Sequence, residues 1–180
     1  MSGKDETGGR HIGETVADFA SFEKTVSILF TPASLLLLAE ASALAAKAER
    51  DSDRLAVILA HAACDVQTEH SLSELLLKND VPRLSEALLK AIGPQVSLHV
   101  EKTLGIFTAL SGDNPRQRPW WDDWKRSLKR RNTVAHGGRL VPPEEVLETV
   151  ELCRKYVEHV RQVVDATEDR FGAGPGLIPE

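Results

Sequence analysis

Residues 142–165 read PPEEVLETVELCRKYVEHVRQVVD, and this stretch decides the fold class. Val146, Val150, Cys153, Val157, Val160 and Val164 recur at intervals of four and three, which lays one apolar seam along a helix. Pro142, Pro143, Glu144 and Glu145 place proline and acid where a helix N-terminus favours them. Three-and-four spacing serves a partner helix of the same chain or of a second copy. We expect the intramolecular partner, because an amphipathic helix of a globular domain ordinarily buries its stripe in its own core.

The same periodicity extends backwards through the chain, with no convincing run of alternating strand residues. A first amphipathic helix is expected over about Glu14 to Phe30, carrying Val16, Phe19, Phe22, Val26 and Leu29. Thr31-Pro32 then opens a second helix reaching about Arg50. Asp51-Ser52-Asp53 starts a long central helix with Leu55, Ile58, Leu59, Ala62, Val66, Leu72, Leu75 and Leu76 as its stripe, ending near Asn79-Asp80. A short helix with Leu84, Leu88 and Ile92 stops at Gly93-Pro94, and another with Val96, Val100, Thr103, Phe107 and Leu110 stops at Gly112-Asp113-Asn114-Pro115. Trp120 or Trp121 begins a helix that runs to His136, where Gly137-Gly138 supplies a left-handed cap. The expected fold is all-α, an antiparallel bundle of about five to six helices.

A chain of 180 residues, 42% apolar, can bury one core. We expect a single helical domain over 13–170, a disordered tail over 1–12 and a flexible tail over 171–180, both tails being rich in Gly and polar residues or Pro. Cys64 and Cys153 are too few for a disulfide framework, and no secretory signal opens the chain, so a cytoplasmic location is expected. The longest apolar stretch, at 35 to 46, is broken by Glu40 and falls short of the roughly 20 residues that span a bilayer, so no membrane partner is expected.

The net charge of −5 is unevenly placed. Arg116, Arg118, Lys125, Arg126, Lys129, Arg130, Arg131 and Arg139 oppose only Asp122 and Asp123, a net of +6 over 116–139 that leaves −11 for the rest. Within this basic segment lies RRNTVAHGG at 130–138. At about 100° per residue, Trp121, Trp124, Leu128 and Ala135 share a buried stripe, with Arg131 and Asn132 at its two edges and His136 beyond Asn132. A half-buried guanidinium needs an anion or a dense set of acceptors. Asp65 or Glu69 across the bundle could supply one. Arg131 and His136 diverge by about 140° within one copy, but a two-fold axis can bring both pairs to one cleft. Such a group suits RNA cleavage: imidazole moves protons near neutral pH, guanidinium holds a phosphoryl oxygen, Asn orients either, and the substrate brings its own 2′-OH nucleophile.

Arg131-Asn132-Thr133-Val134-Ala135-His136, at a helix end before a long final helix, resembles the signature of the HEPN superfamily, matching its arginine, adjacent polar residue and histidine at Arg131, Asn132 and His136. The resemblance implies a HEPN-like bundle, homodimerisation through the motif helices, and metal-independent endoribonuclease activity leaving a cyclic phosphate. A toxin or defence role and an antitoxin or nucleotidyltransferase partner belong to the same expectation. On this reading Arg131, Asn132 and His136 are catalytic. Arg116, Arg118, Lys125, Arg126, Lys129, Arg130 and Arg139 bind RNA, with no cofactor and no metal. The alternative is a non-catalytic module that binds a nucleotide or another protein.

Other features favour plainer readings. His61, Asp65 and Glu69 recur every four residues with Cys64 and His70 adjacent, a spacing open to metal ligation but expected to be a polar helix edge. Trp121 and Trp124 are expected in the core, and Trp120 is the one tryptophan placed to stack on a base. Both cysteines are expected to pack, and 137–143 lacks the pattern of a phosphate loop.

Overall fold

A computed structural model describes residues 31–79, 96–137 and 140–172. The chain divides into two compact units, Met1–Pro32 and Ala33–Glu180, and every helix below belongs to the second. The helices expected over Glu14–Phe30 and around Leu84–Ile92, both terminal tails as far as residue 12 and from 173, and Gly138 and Arg139 lie outside the described residues.

The described part is all-helical: α1 is Ala33–Ala45, α2 Arg50–Lys78, α3 Glu101–Ser111, α4 Trp121–Gly137 and α5 Pro143–Gly172, with a 3-10 turn at Pro115–Gln117. Among the described residues the other four helices pack around α2, which touches α1 and α5 most extensively and also α4 and α3. The sequence neighbours α1/α2 and α4/α5 run antiparallel, since Ser34 meets Gln67 and Arg130 meets Thr149 across short connections. By contrast α2 and α5 climb together: Cys64 lies against Cys153, Thr68 against Tyr156 and Lys78 against Val164.

The seam Val146, Val150, Cys153, Val157, Val160 and Val164 is buried throughout, within the chain's own core. The central helix corrects only part of its expected stripe, since Leu72, Leu75 and Leu76 are buried as expected. Leu55 and Val66 are 46% and 36% exposed, while Ala56, Val57, Ala60, Ala63, Cys64, Gln67, Thr68 and Ser71 face inward. A helix approached from several sides needs small residues where the neighbouring axes come close, so the larger side chains rotate outward. The polar residues so buried are mutually satisfied. Ser34 Oγ donates to Gln67 Oε1 at 2.7 Å, Gln67 Nε2 donates to Ser71 Oγ at 2.9 Å, and Thr68 Oγ1, which donates to Cys64 O at 2.8 Å, accepts from Tyr156 OH at 2.5 Å.

Two boundaries differ from the sequence reading. Helix α1 ends at Ala45 rather than near Arg50, and Ala48 takes φ 50° in the reversal to α2. Nothing local stops a run of alanine, lysine and glutamate; the stop is imposed by packing α1 back on α2. Residues 96–100 precede α3 as a turn instead of forming its first turns. Gly112 does end α3 as expected, at φ 73° with its N–H donating to Thr108 O. Asp113 then accepts from Arg118 and lies 2.8 Å from His159 Nε2, pinning the following turn to α5. No helix among the described residues is long and apolar enough to cross a membrane.

Candidate active site

Helix α4 begins beyond Pro119, with Asp122 and Asp123 in its first turn, where negative charge suits the helix dipole, and His136 in its last. Trp121, Trp124, Ser127 and Val134 are its buried residues, whereas Ala135 is exposed and Leu128 half-buried. The stripe is therefore rotated from the expected Leu128–Ala135 side towards Ser127 and Val134. At about 100° per residue Arg131 then falls within the inward arc rather than at its edge. Ser127 can face inward because its hydroxyl donates to Trp124 O at 2.7 Å and meets His61 Nε2 at 3.2 Å.

Arg131 is 33% exposed and finds its anion on α2: Nη2 lies 3.5 Å from Asp65 Oδ2, while Nη1 donates to Asn132 Oδ1 at 3.3 Å. Asp65 is one of the two carboxylates that the sequence offered as a possible partner; Glu69, the other, lines the same cleft. That cleft, of about 480 Å³, is lined by Asp65, Glu69, Lys125, Lys129, Arg131 and Asn132 together with Val66, Val96, Ser97, His99 and Leu128. Three cations, two carboxylates, one amide and an apolar wall thus share a single hollow, a composition that can meet a phosphate and its attached base.

Titration follows the geometry. Partial burial raises the Asp65 carboxyl above its ordinary value, against the opposing pull of Arg131 and of Ser97. Loss of water lowers His99, with Asp65 opposing and Arg131 adding to the fall, so its imidazole is mainly neutral near pH 7. His99 Nδ1 is 2.9 Å from Ser97 Oγ, which fixes the ring.

The expected site residues part into groups. Lys125, Lys129, Arg131 and Asn132 come together in the cleft. His136 is exposed and does not line it. Arg116, Arg118 and Arg126 are each paired with one carboxylate, of Glu101, Asp113 and Asp123 respectively. Arg130 is 21% exposed and is held on α5 by Glu145 Oε2 at 2.8 Å, Glu148 Oε2 at 3.0 Å and Thr149 Oγ1 at 2.6 Å. Arg139 lies outside the described residues. Trp120 packs against Trp121, Tyr156 and His159 at ring separations of 6.2, 6.0 and 5.6 Å, so much of its surface is already covered by aromatic neighbours.

The sequence reading did not find His99 or Ser97. Their only local signal was the dipeptide spacing Ser-x-His before a helix, and the segment was assigned to the helix itself. The face His61, Asp65, Glu69 also divides. Asp65 and Glu69 line the cleft, His61 and Cys64 enter the core, and His70 pairs with Glu74 at 3.7 Å.

The fold and cleft define the class as a helical bundle with an arginine-centred basic cleft between its central and penultimate helices. Comparison with known proteins finds no match among protein families, curated proteins or solved structures.

Proposed function

We propose that this chain is an endoribonuclease whose chemistry needs no metal, with a site completed by a second copy. The observation that carries it is Arg131, turned inward beside Lys125 and Lys129 and held by Asp65 and Asn132. A guanidinium oriented before substrate arrives is suited to the charge that develops on a phosphorane. In the reaction the 2′-oxygen attacks the adjacent phosphorus and gives up its proton to a base. The P–O5′ bond breaks, the 5′-oxygen takes a proton from an acid, and a 2′,3′-cyclic phosphate remains. His136 serves as acid or base, delivered from the neighbouring copy because it diverges from Arg131 in its own.

Lys125 and Lys129 supply phosphate contacts inside the cleft. Arg116 and Arg126 extend the path, since their exposed single pairs are worth only about 0–1 kcal/mol and exchange readily for phosphate, and Arg118 adds its half-exposed guanidinium while staying paired to Asp113. Arg130, with acceptors from three residues of α5, fixes the helix that carries the motif. A cytoplasmic setting, in which Cys64 and Cys153 stay free thiols, fits this reading. A toxin or defence role and an antitoxin or nucleotidyltransferase partner rest on the likeness of Arg131-Asn132 and His136 to the HEPN motif.

Incubation of purified protein with mixed RNA in excess chelator, with circular dichroism to follow the fold, tests the proposal. Wild type should yield cyclic-phosphate ends, and Arg131→Ala and His136→Ala should not. Intact RNA with wild type, or cleavage by both variants at the wild-type rate, removes the nuclease reading. His99→Ala belongs beside them: loss of cleavage there with full activity in His136→Ala transfers the proton role to the cleft's own imidazole.

A second reading draws on that same divergence. One copy alone offers a phosphate cleft with apolar Val66, Val96 and Leu128 but without His136, which suits a nucleotide-binding module. Saturable calorimetric binding of a mononucleotide by a protein that leaves RNA intact would establish it.

A further inference from the structure

Beside the cleft, the interior holds a cluster that neither the fold nor the proposed chemistry uses. His61 and Cys64 lie one turn apart on α2 and meet Cys153 of α5, and a ring nitrogen and both sulfurs lie within 4.8 Å of one another. All three residues are buried, at 1%, 1% and 0% exposure. The imidazole is only half satisfied: Nε2 meets Ser127 Oγ at 3.2 Å, and Nδ1 has no partner. The indole N–H of Trp124, which stands beside the Cys64 sulfur, is likewise buried and without a partner. Unsatisfied buried donors and acceptors are costly, and their gathering around two thiols calls for a physical reason.

From this geometry we propose that His61, Cys64 and Cys153 form an internal site for a thiophilic d10 cation, Zn²⁺ foremost, which ties α2 to α5. Donor type and spacing both fit, with three protein donors filling three of zinc's four positions. Zinc holds thiolate sulfur at about 2.3 Å and imidazole nitrogen at about 2.0–2.1 Å, so donors around one ion stand roughly 3.5–4 Å apart. The observed envelope closes to that with small side-chain adjustments. On binding, each thiol releases its proton to solvent and becomes a thiolate. Two thiolates and a neutral imidazole around a dication leave no net charge, which suits a dry core. The Trp124 N–H then has an anionic sulfur to donate to, the outer contact that metal-bound thiolates commonly receive.

The site was hidden in the sequence because Cys153 lies 89 residues from Cys64. Only the same-direction packing of α2 and α5 brings them together. This inference stands independently of the nuclease reading.

Refolding the full chain with one equivalent of Zn²⁺, followed by native mass spectrometry, tests it directly. The expected result is one zinc per chain with two protons displaced, and a melting temperature raised above that of the metal-free protein. Co²⁺ in place of Zn²⁺ should give an intense sulfur-to-cobalt charge-transfer band in the wild type. That readout needs no variant to fold. Cys64→Ser, Cys153→Ser and His61→Ala should each weaken retention at least tenfold. An unchanged intact mass with Zn²⁺ and with Cu⁺, a mass lowered by two hydrogen atoms through a disulfide formed with dissolved oxygen as oxidant, or undiminished zinc in the Cys64→Ser/Cys153→Ser variant would each overturn the proposal.

Discussion

Arg131 owes its orientation to one carboxylate and one amide, and both can be removed singly. Arg131→Ala should lower cleavage about 10²–10³-fold, the scale for losing one preorganised donor to a developing oxyanion, as read in single-turnover assays. Arg131→Lys should recover little of this, because an ammonium cannot hold two phosphoryl oxygens in a planar fork. The carboxyl partner gives a reading without substrate. Partial burial raises Asp65 and Arg131 pulls it back, so Arg131→Ala should move that carboxyl further up in a carbon-13 NMR titration. An unmoved or lowered value would remove the pairing. Because the folded value exceeds the unfolded one of about 3.9, the folded chain binds the extra proton between the two. The stabilisation that Asp65 contributes is complete below the unfolded value and is lost as pH rises through the folded one. Urea melts of Asp65→Asn should show that slope removed. Arg131 and Asn132 were legible as site candidates from the motif they share, although helix geometry put them at opposite edges of the stripe. Asp65 was legible only as a candidate, because its role depends on where α2 lies.

Among the elements, α4 is tied to α5 at one well-defined place. Arg130 reaches Glu145, Glu148 and Thr149, and truncating it leaves partly buried acceptors unpaired. Arg130→Ala should cost about 1–2 kcal/mol in denaturant unfolding. If stability is unchanged while RNA binding falls, Arg130 acts on RNA rather than on the helix. The reversal between α1 and α2 offers the opposite sign. Ala48 sits at φ 50°, where an L side chain is strained, so Ala48→Gly should stabilise by about 0.5–1 kcal/mol once the added freedom of the unfolded chain is deducted. A loss of stability would place Ala48 outside the left-handed region. The stop at Gly112 could be read directly, since glycine marks it. The stop at Ala45 could not, since no residue there disfavours a helix.

For the whole molecule, burial of the α5 seam means that the proposed dimer would form through other surfaces, and the proposed composite site makes a specific demand on it. Mixing Arg131→Ala with His136→Ala protein and allowing subunits to exchange should restore cleavage. One site of each mixed dimer then draws Arg131 and His136 from different copies, and both are intact. Mixtures as inactive as their components would confine the site to one chain. The sequence by itself determined the helical class, the seam of α5, the end of α3 at Gly112, and the basic segment around Arg131 with its polar neighbour. Each follows from local periodicity, a capping residue or charge counted along the chain. Only the tertiary structure decided which face of α2 is inside, because close packing on several sides favours small residues over the large ones that periodicity picks out. It also decided that Asp65 holds Arg131, that His99 rather than His136 shares the cleft, and that Cys153 meets Cys64 and His61. Those contacts join residues tens of positions apart, and their distances are set by how helices cross rather than by spacing within any one of them.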